Sequence, residues 1–121
     1  MERLTQSEEE AMQVLWQLDG GFVKEVLERL PEPSPPYTTL ASTIRNLERK
    51  GYVRAEKLGN SYRYAPLVRD EDYRRRFMSN FVSDYFRNSY KDVVSFFAKE
   101  QKISADELQE IIRMIEDGKH D

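Results

Sequence analysis

Apolar residues recur at helical spacing three times, then alternate every second residue, then return to helical spacing to the end of the chain. In the first stripe Ala11, Met12, Leu15 and Leu18 share a face, with Trp16 on its margin. Thr5 with Glu8 spells a capping box at its start, and Ser7 with Glu10 is an overlapping second choice. Asp19-Gly20-Gly21 ends it. Val23, Val26, Leu27 and Leu30 predict a short second helix, stopped before Pro31. Pro35 and Pro36 then hold the chain extended. Leu40, Ile44 and Leu47 follow at i, i+4, i+7 and predict a third helix. Thr38 or Thr39 is placed to cap it. Arg49 and Lys50 suit the negative end of its dipole, and Gly51 supplies the stop.

The alternation begins after Tyr52. Tyr52 to Lys57 mixes β-branched, aromatic and charged residues, and Gly59-Asn60 tolerates the positive φ of a tight turn. Tyr62 and Tyr64 alternate with Ser61 and Arg63, which gives a hairpin with one packed face. Phe22 is placed to make one short bridge to it. Pro66 closes the hairpin, and a second region begins near Asp70. Asp70-Glu71-Asp72 puts negative charge at a helix start. Tyr73, Phe77, Phe81 and Tyr85 recur every four residues, widened by Met78, Val82 and Phe86. Tyr90 to Ala98 is a second apolar stretch with Val93, Val94, Phe96 and Phe97. Ser104 with Glu107 is a capping box opening a last helix striped by Leu108, Ile111, Ile112 and Ile115, which Gly118 ends.

The order helix, short strand, helix, helix, strand, strand is that of a winged helix-turn-helix. The expected fold is therefore mainly α with a small β-hairpin. Residues 1–69 form a winged-helix DNA-binding domain, and residues 70–121 a helical dimerisation region. With Leu40, Ile44 and Leu47 inward, Thr38, Ser42, Arg45, Asn46 and Arg49 point outward and Thr39 sits at the edge. Hydroxyl, amide and guanidinium groups hydrogen-bond to base edges and phosphates. Any solvated helix face carries such residues, so the hairpin behind it carries the argument. Lys57, Asn60 and Arg63 flank or form the turn and place positive charge near the tip of the wing. The C-terminal helices carry too much apolar surface for a solitary tail: either they fold back on the domain, with Phe77, Phe81 and Tyr85 as monomer core, or they pair with a second chain, the favoured reading. Phe77, Phe81, Tyr85, Val94, Phe97, Leu108, Ile111, Ile112 and Ile115 are read as a homodimer interface, because two copies of one recognition helix read a palindrome.

Charge sharpens this picture. The chain carries 19 Lys+Arg against 22 Asp+Glu, a net charge of -3. From Pro36 to Arg69 seven basic residues face two acidic ones, a surplus of five. One basic module in an acidic protein points to a local nucleic-acid footprint. At 121 residues the chain can bury a core in one domain with an appendage. It has no cysteine, which removes disulfides, thiol switches and thiolate metal sites and fits a cytoplasmic protein. The N-terminus does not read as a signal peptide, and no apolar run reaches membrane-spanning length. An enzyme is not expected. His120 is the lone histidine, and there is no glycine-rich phosphate loop and no metal-spaced cluster. No catalytic residue, metal site or cofactor is assigned.

Three segments carry a further resemblance: residues 4–16 (LTQSEEEAMQVLW), 37–51 (YTTLASTIRNLERKG) and 61–68 (SYRYAPLV). Together they resemble the penicillinase and methicillin-resistance repressors, with their copper-operon relatives, over residue 4 to about residue 114. The resemblance implies a homodimeric transcriptional repressor of an antibiotic-resistance type of operon that covers a double-stranded operator. Thr38, Thr39, Ala41, Ser42 and Asn46 match the family's base-reading positions. Ala41 departs from a position where a basic residue is often found. In similar proteins a membrane-bound sensor metalloprotease leads to cleavage in the dimerisation region, at a bond similar in position to Ser95-Phe96. The best-known members have asparagine where Ser95 stands. The copper branch senses metal through cysteines, which this chain lacks. Two rival readings remain: a winged-helix regulator released by a small-molecule effector held by the aromatic C-terminal helices, and a winged-helix protein-interaction module.

Overall fold

The computed structural model describes residues 2–118. The chain forms two compact units, residues 1–74 and residues 75–121, described separately below.

In the first unit, α1 (Gln6–Leu18) starts with the Thr5/Glu8 capping box, and the Ser7/Glu10 alternative is not used. Glu8 N donates to the Thr5 hydroxyl at 3.2 Å, and Thr5 N to Glu8 Oε1 at 2.8 Å. The helix ends at Asp19, in the left-handed region, as the Asp-Gly-Gly run predicts. β1 (Gly21–Phe22) is the short bridge expected at Phe22. α2 (Val23–Arg29) is short and ends before Pro31, with Glu25 accepting from Phe22 N at 2.9 Å.

α3 (Tyr37–Arg49) buries Leu40, Ile44 and Leu47, the expected face. The cap differs from the expectation. The helix begins at Tyr37 behind Pro36, and no side chain caps it. Pro36 is fixed at φ -60, ψ 151, so the turn closes directly behind it, with Leu40 N donating to Pro36 O at 3.0 Å. Thr38 and Thr39 therefore lie inside the first turn, where a hydroxyl cannot cap. Gly51, at φ +84, ends the helix as predicted; Gly51 N reaches Glu48 O and Tyr52 N reaches Leu47 O.

β2 (Val53–Leu58) and β3 (Ser61–Pro66) form the hairpin, and the sheet order is β1-β3-β2, all antiparallel. Leu58 pairs with Ser61 across the turn. Only Gly59 takes positive φ (+63); Asn60 does not, so the first central position alone needs the freedom of glycine. The core is one cluster in which Met12 and Leu15 meet Val26, Leu40, Ile44 and Leu47, closed by Tyr52, Val53 and Tyr64 from the sheet side. The order α1-β1-α2-α3-β2-β3 makes the first unit a winged helix.

α4 (Asp70–Phe86) opens on the acidic run Asp70-Glu71-Asp72 and spans 17 residues. Arg87 (φ 51) and Asn88 (φ 66) turn the chain, and Ser89 caps α5 (Tyr90–Lys99) by accepting from Asp92 N at 3.1 Å. α6 (Ala105–Glu116) opens with the predicted Ser104/Glu107 box and is followed by Gly118 at φ +66. Hydrogen bonds from the Ser104 backbone N–H and hydroxyl hold the Glu107 carboxyl below its ordinary range. No residue of α5 or α6 is buried.

Candidate nucleic-acid interface

Burying Leu40, Ile44 and Leu47 turns the other side of α3 to solvent. Thr38, Thr39, Ser42, Arg45, Asn46 and Arg49 are all exposed there. The row is continuous, because i, i+3 and i+4 residues neighbour one another on a helix. Arg45 Nη2 donates to the Ser42 hydroxyl at 3.2 Å. Arg49 meets Glu2 at 3.8 Å with both side chains 62% exposed, a contact that solvent screens and a phosphate can replace. Ala41 is not on this row. It is half-buried against the core and faces the wing.

Between α3 and the hairpin lies an open groove of ≈ 610 Å³. Tyr37, Ala41 and Arg45 line it from the helix, and Leu58, Asn60 and Tyr62 from the wing. Tyr37, Leu58 and Tyr62 are each about half exposed and join the groove in addition to the residues expected from the sequence. Their signal was present: Tyr62 lies one residue pair beyond buried Tyr64 on the same strand face, past the edge of the core. Burial pushes the Tyr64 hydroxyl up, aided by Glu48 and opposed by Arg45. Tyr64 is therefore a neutral packing residue at the root of the wing.

The structure redistributes the positive charge counted from the sequence. Lys57 and Asn60 are exposed toward the tip. Arg63 is turned back instead. Its Nη2 donates to Asp19 O at 2.7 Å, and its Nη1 lies 3.7 Å from Glu56. Gly20, at φ +100, makes room for it, since a Cβ there would stand 2.7 Å from the guanidinium nitrogens. Arg63 pairs across to Phe22 of β1, which draws it to the sheet interior and away from the tip. Lys50 also leaves the basic surface: its Nζ lies 2.6 Å from Glu8 Oε1, with side chains 9% and 5% exposed. Arg54 pairs with Glu56 at 3.6 Å and Arg69 with Glu71 at 3.3 Å. Of the seven basic residues between Pro36 and Arg69, Arg45 and Lys57 form no ion pair among the described residues, and the exposed pair of Arg49 is readily exchanged for a phosphate.

The second unit buries Val82 but leaves most of its large apolar residues exposed or half-exposed. Phe77, Tyr85, Val94, Ile111, Ile112 and Ile115 are exposed, Tyr85 by 75%; Phe81, Phe97 and Leu108 are half-buried. Phe81 meets Tyr85 in a tilted ring contact at 5.1 Å and Phe86 at 5.8 Å, and Phe86 meets Phe96 at 5.8 Å. Ser95 is half-buried and Phe96 exposed, in the middle of α5. Among the described residues no group of histidine, cysteine or carboxylate side chains is placed to hold a metal. No described helix is long and apolar enough to cross a membrane. His120 lies outside the described residues.

The penicillinase repressor family model matches residues 4–117. The chain is similar to the methicillin resistance regulatory protein MecI of Staphylococcus aureus (strain N315), with 22% identity over 111 residues and 89% of each chain. It is similar to the penicillinase repressor of Bacillus licheniformis, with 23% identity over 119 residues, 98% of this chain and 93% of that one. A solved structure, that of MepR, a transcription regulator of the Staphylococcus aureus multidrug efflux pump MepA, aligns at 16% identity. It covers 82% of this chain and 76% of its own, with TM-score 0.47.

Proposed function

Because the chain belongs to the penicillinase repressor family, we propose that it is a DNA-binding transcriptional repressor that reads an inverted-repeat operator as a homodimer. The observation that carries this reading is the exposed row Thr38, Ser42, Arg45, Asn46 and Arg49, set beside a wing with Lys57 and Asn60 near its tip. α3 enters the major groove, and Asn46 and the hydroxyls address base edges. Arg45 and Lys57 neutralise phosphates on either side of the groove between helix and wing.

The dimer forms through the second unit, whose apolar faces are uncovered in one chain. Each copy binds a half-site weakly, and association joins the two contacts by effective concentration. We assign the inactivating step to proteolysis near Ser95-Phe96 by a membrane-bound sensor metalloprotease. The bond lies inside α5, so a protease needs that helix to open locally first. Cutting there separates α6 from the rest of the chain and with it part of the association surface. Antibiotic-resistance genes are the proposed targets.

The test is fluorescence anisotropy on the protein's own upstream DNA against a scrambled duplex, across a salt titration. Selective binding at two chains per duplex is the expected result; equal binding to both duplexes overturns the reading. Two substitutions divide the roles. Arg45→Ala should weaken binding to every sequence and lower the salt slope by about one. Asn46→Ala should leave the slope and flatten discrimination at one position by about 1–3 kcal/mol.

A further inference from the structure

Three tyrosines converge on the groove between α3 and the wing. Tyr37, Ala41 and Arg45 lie at i, i+4 and i+8 and form the ridge of α3 that faces the wing. Ala41 is small, so the ridge is low between the ring at its start and the guanidinium beyond. Opposite stand Tyr62 and Tyr64, on one face of β3. Lys57 pairs across with Tyr62 and shares that face. Tyr64 holds the decisive oxygen. Its ring is packed in the core and the residue is 7% exposed, yet its hydroxyl has no hydrogen-bond partner among the described residues. No fully covered side-chain oxygen or nitrogen among them is left unsatisfied, so this hydroxyl reaches the surface, and the surface that Tyr64 lines is the groove. Burial keeps the hydroxyl protonated. Glu48, Tyr37 and Tyr62 add to this and Arg45 opposes it, so all four lie close enough to act on it.

We propose that this groove seats one phosphodiester of the operator backbone, held by the charge of Arg45 and by neutral hydrogen bonds from the hydroxyls of Tyr37, Tyr62 and Tyr64. The inference rests on the DNA-reading function proposed above and names the part of the DNA that the groove takes. A phenol donates and a phosphate oxygen accepts, so a phosphate supplies the partner that the Tyr64 hydroxyl lacks. The charges favour an anion. Lys24, which lines the groove from α2, Arg45 and Lys57 form no ion pair among the described residues. Of the two carboxylates beside them, Glu25 is engaged by Phe22 N and Glu48 is exposed to solvent. Leu58 and the rings of Tyr37 and Tyr62, each about half exposed, offer the flanking sugars an apolar wall. The groove is open, as a continuous strand requires. Uncharged hydroxyls displace no counterions, so they add affinity that salt does not weaken.

The test is anisotropy with Tyr64→Phe and Tyr62→Phe, each of which drops one hydroxyl and keeps the ring. The full-length chain is titrated on its own upstream DNA and on a scrambled duplex, across salt. Each variant should bind both duplexes about tenfold more weakly and keep the parent's salt slope, whereas Arg45→Ala lowers the slope. Tyr64→Phe should also keep the parent's urea midpoint, since its hydroxyl bonds to nothing in the protein. Duplexes carrying one methylphosphonate at a time locate the contact. At one position per half-site the neutral linkage should cost the parent about tenfold and cost Tyr64→Phe nothing more. Inorganic phosphate, matched to chloride in ionic strength, should release no more DNA than chloride does. Selective release by phosphate would make the groove a site for a free anion and overturn the phosphodiester. Parent affinity in both variants overturns the proposal, and so does a loss confined to the upstream DNA, which would make the hydroxyls base readers. A Tyr64→Phe protein that unfolds more easily overturns the role of that hydroxyl, and half-exposed Tyr62→Phe then decides for the groove. A parent that binds neither duplex overturns the function proposed above and this inference with it.

Discussion

Lys50→Met should cost the winged-helix unit about 3–5 kcal/mol at neutral pH, a large share of the ~5–15 kcal/mol that holds a small domain together. Lys50 and Glu8 are both nearly inaccessible and 2.6 Å apart, and Lys50 Nζ also donates to Arg3 O at 2.9 Å. Removing the ammonium leaves a buried carboxylate with only the Thr5 N–H and hydroxyl near it. The penalty comes from that orphaned charge, not from the intrinsic worth of the pair. Glu8→Gln combined with Lys50→Met should therefore recover most of the loss, because the amide oxygen still accepts from Thr5 N. Urea denaturation followed by Trp16 fluorescence measures all three proteins. A double variant no better than Lys50→Met would show that something other than the buried charge is at stake.

The pH dependence of the same pair has a definite sign. Burial pushes the Glu8 carboxyl up, but the bonds from Lys50 and Thr5 and the charge of Lys50 outweigh it, leaving the group below 4.5. A folded-state value below the unfolded one stabilises above the unfolded value. That contribution is lost as pH falls through the folded value. In Lys50→Met the opposing contacts are largely gone and burial acts nearly alone, so the carboxyl moves up and protonates earlier. The stability curves of parent and variant should then converge in acid. A gap that stays constant to pH 3 would contradict the assignment.

That pair also marks where the sequence stops being legible. The stripes of the first unit, the two capping boxes and the glycine stops are local, and each appears where its pattern places it. The row on α3 followed from one decision, which face to bury. Lys50 and Arg63 were read as surface charge because their partners lie 42 and 44 residues away in sequence. No spacing rule reports a contact of that separation. Glu8 is a further case: its capping role is local and legible, while its second role as partner of Lys50 is tertiary. Tyr73 read as the first position of an apolar stripe, yet it leaves that stripe to join Trp16 and Tyr52. The cap of α3 failed for a different reason. Threonine preference is a weak prior, and Pro36 had already fixed where the chain turns.

Ile112→Asp with Ile115→Asp should leave the winged-helix unit folded, halve the mass of the protein in solution and lower operator affinity by about 10²–10⁴-fold. α6 has one apolar face, Leu108, Ile111, Ile112 and Ile115, and none of its residues is buried; Ile112 is 45% and Ile115 66% exposed. Helical propensity and a capping box supply about 1–2 kcal/mol, too little to hold a 12-residue helix in water. A persistent α6 therefore needs its apolar face covered, and a second copy offers the same face under two-fold symmetry. Carboxylates at two exposed positions do not disturb the core of the first unit, which draws on α1, α2, α3 and the sheet. In the proposed dimer they would place like charges between the two copies, and their desolvation would oppose association. Sedimentation equilibrium gives the mass, anisotropy on a duplex with one half-site tests the reading unit, and anisotropy on the full site tests the dimer. Binding to one half-site should be unchanged. Gln109→Asp with Arg113→Asp, on the polar side of the same helix, is the control and should keep the parent mass. A double-aspartate protein that still sediments as a dimer at micromolar concentration would move the interface away from α6, onto the exposed aromatic residues of α4 and α5.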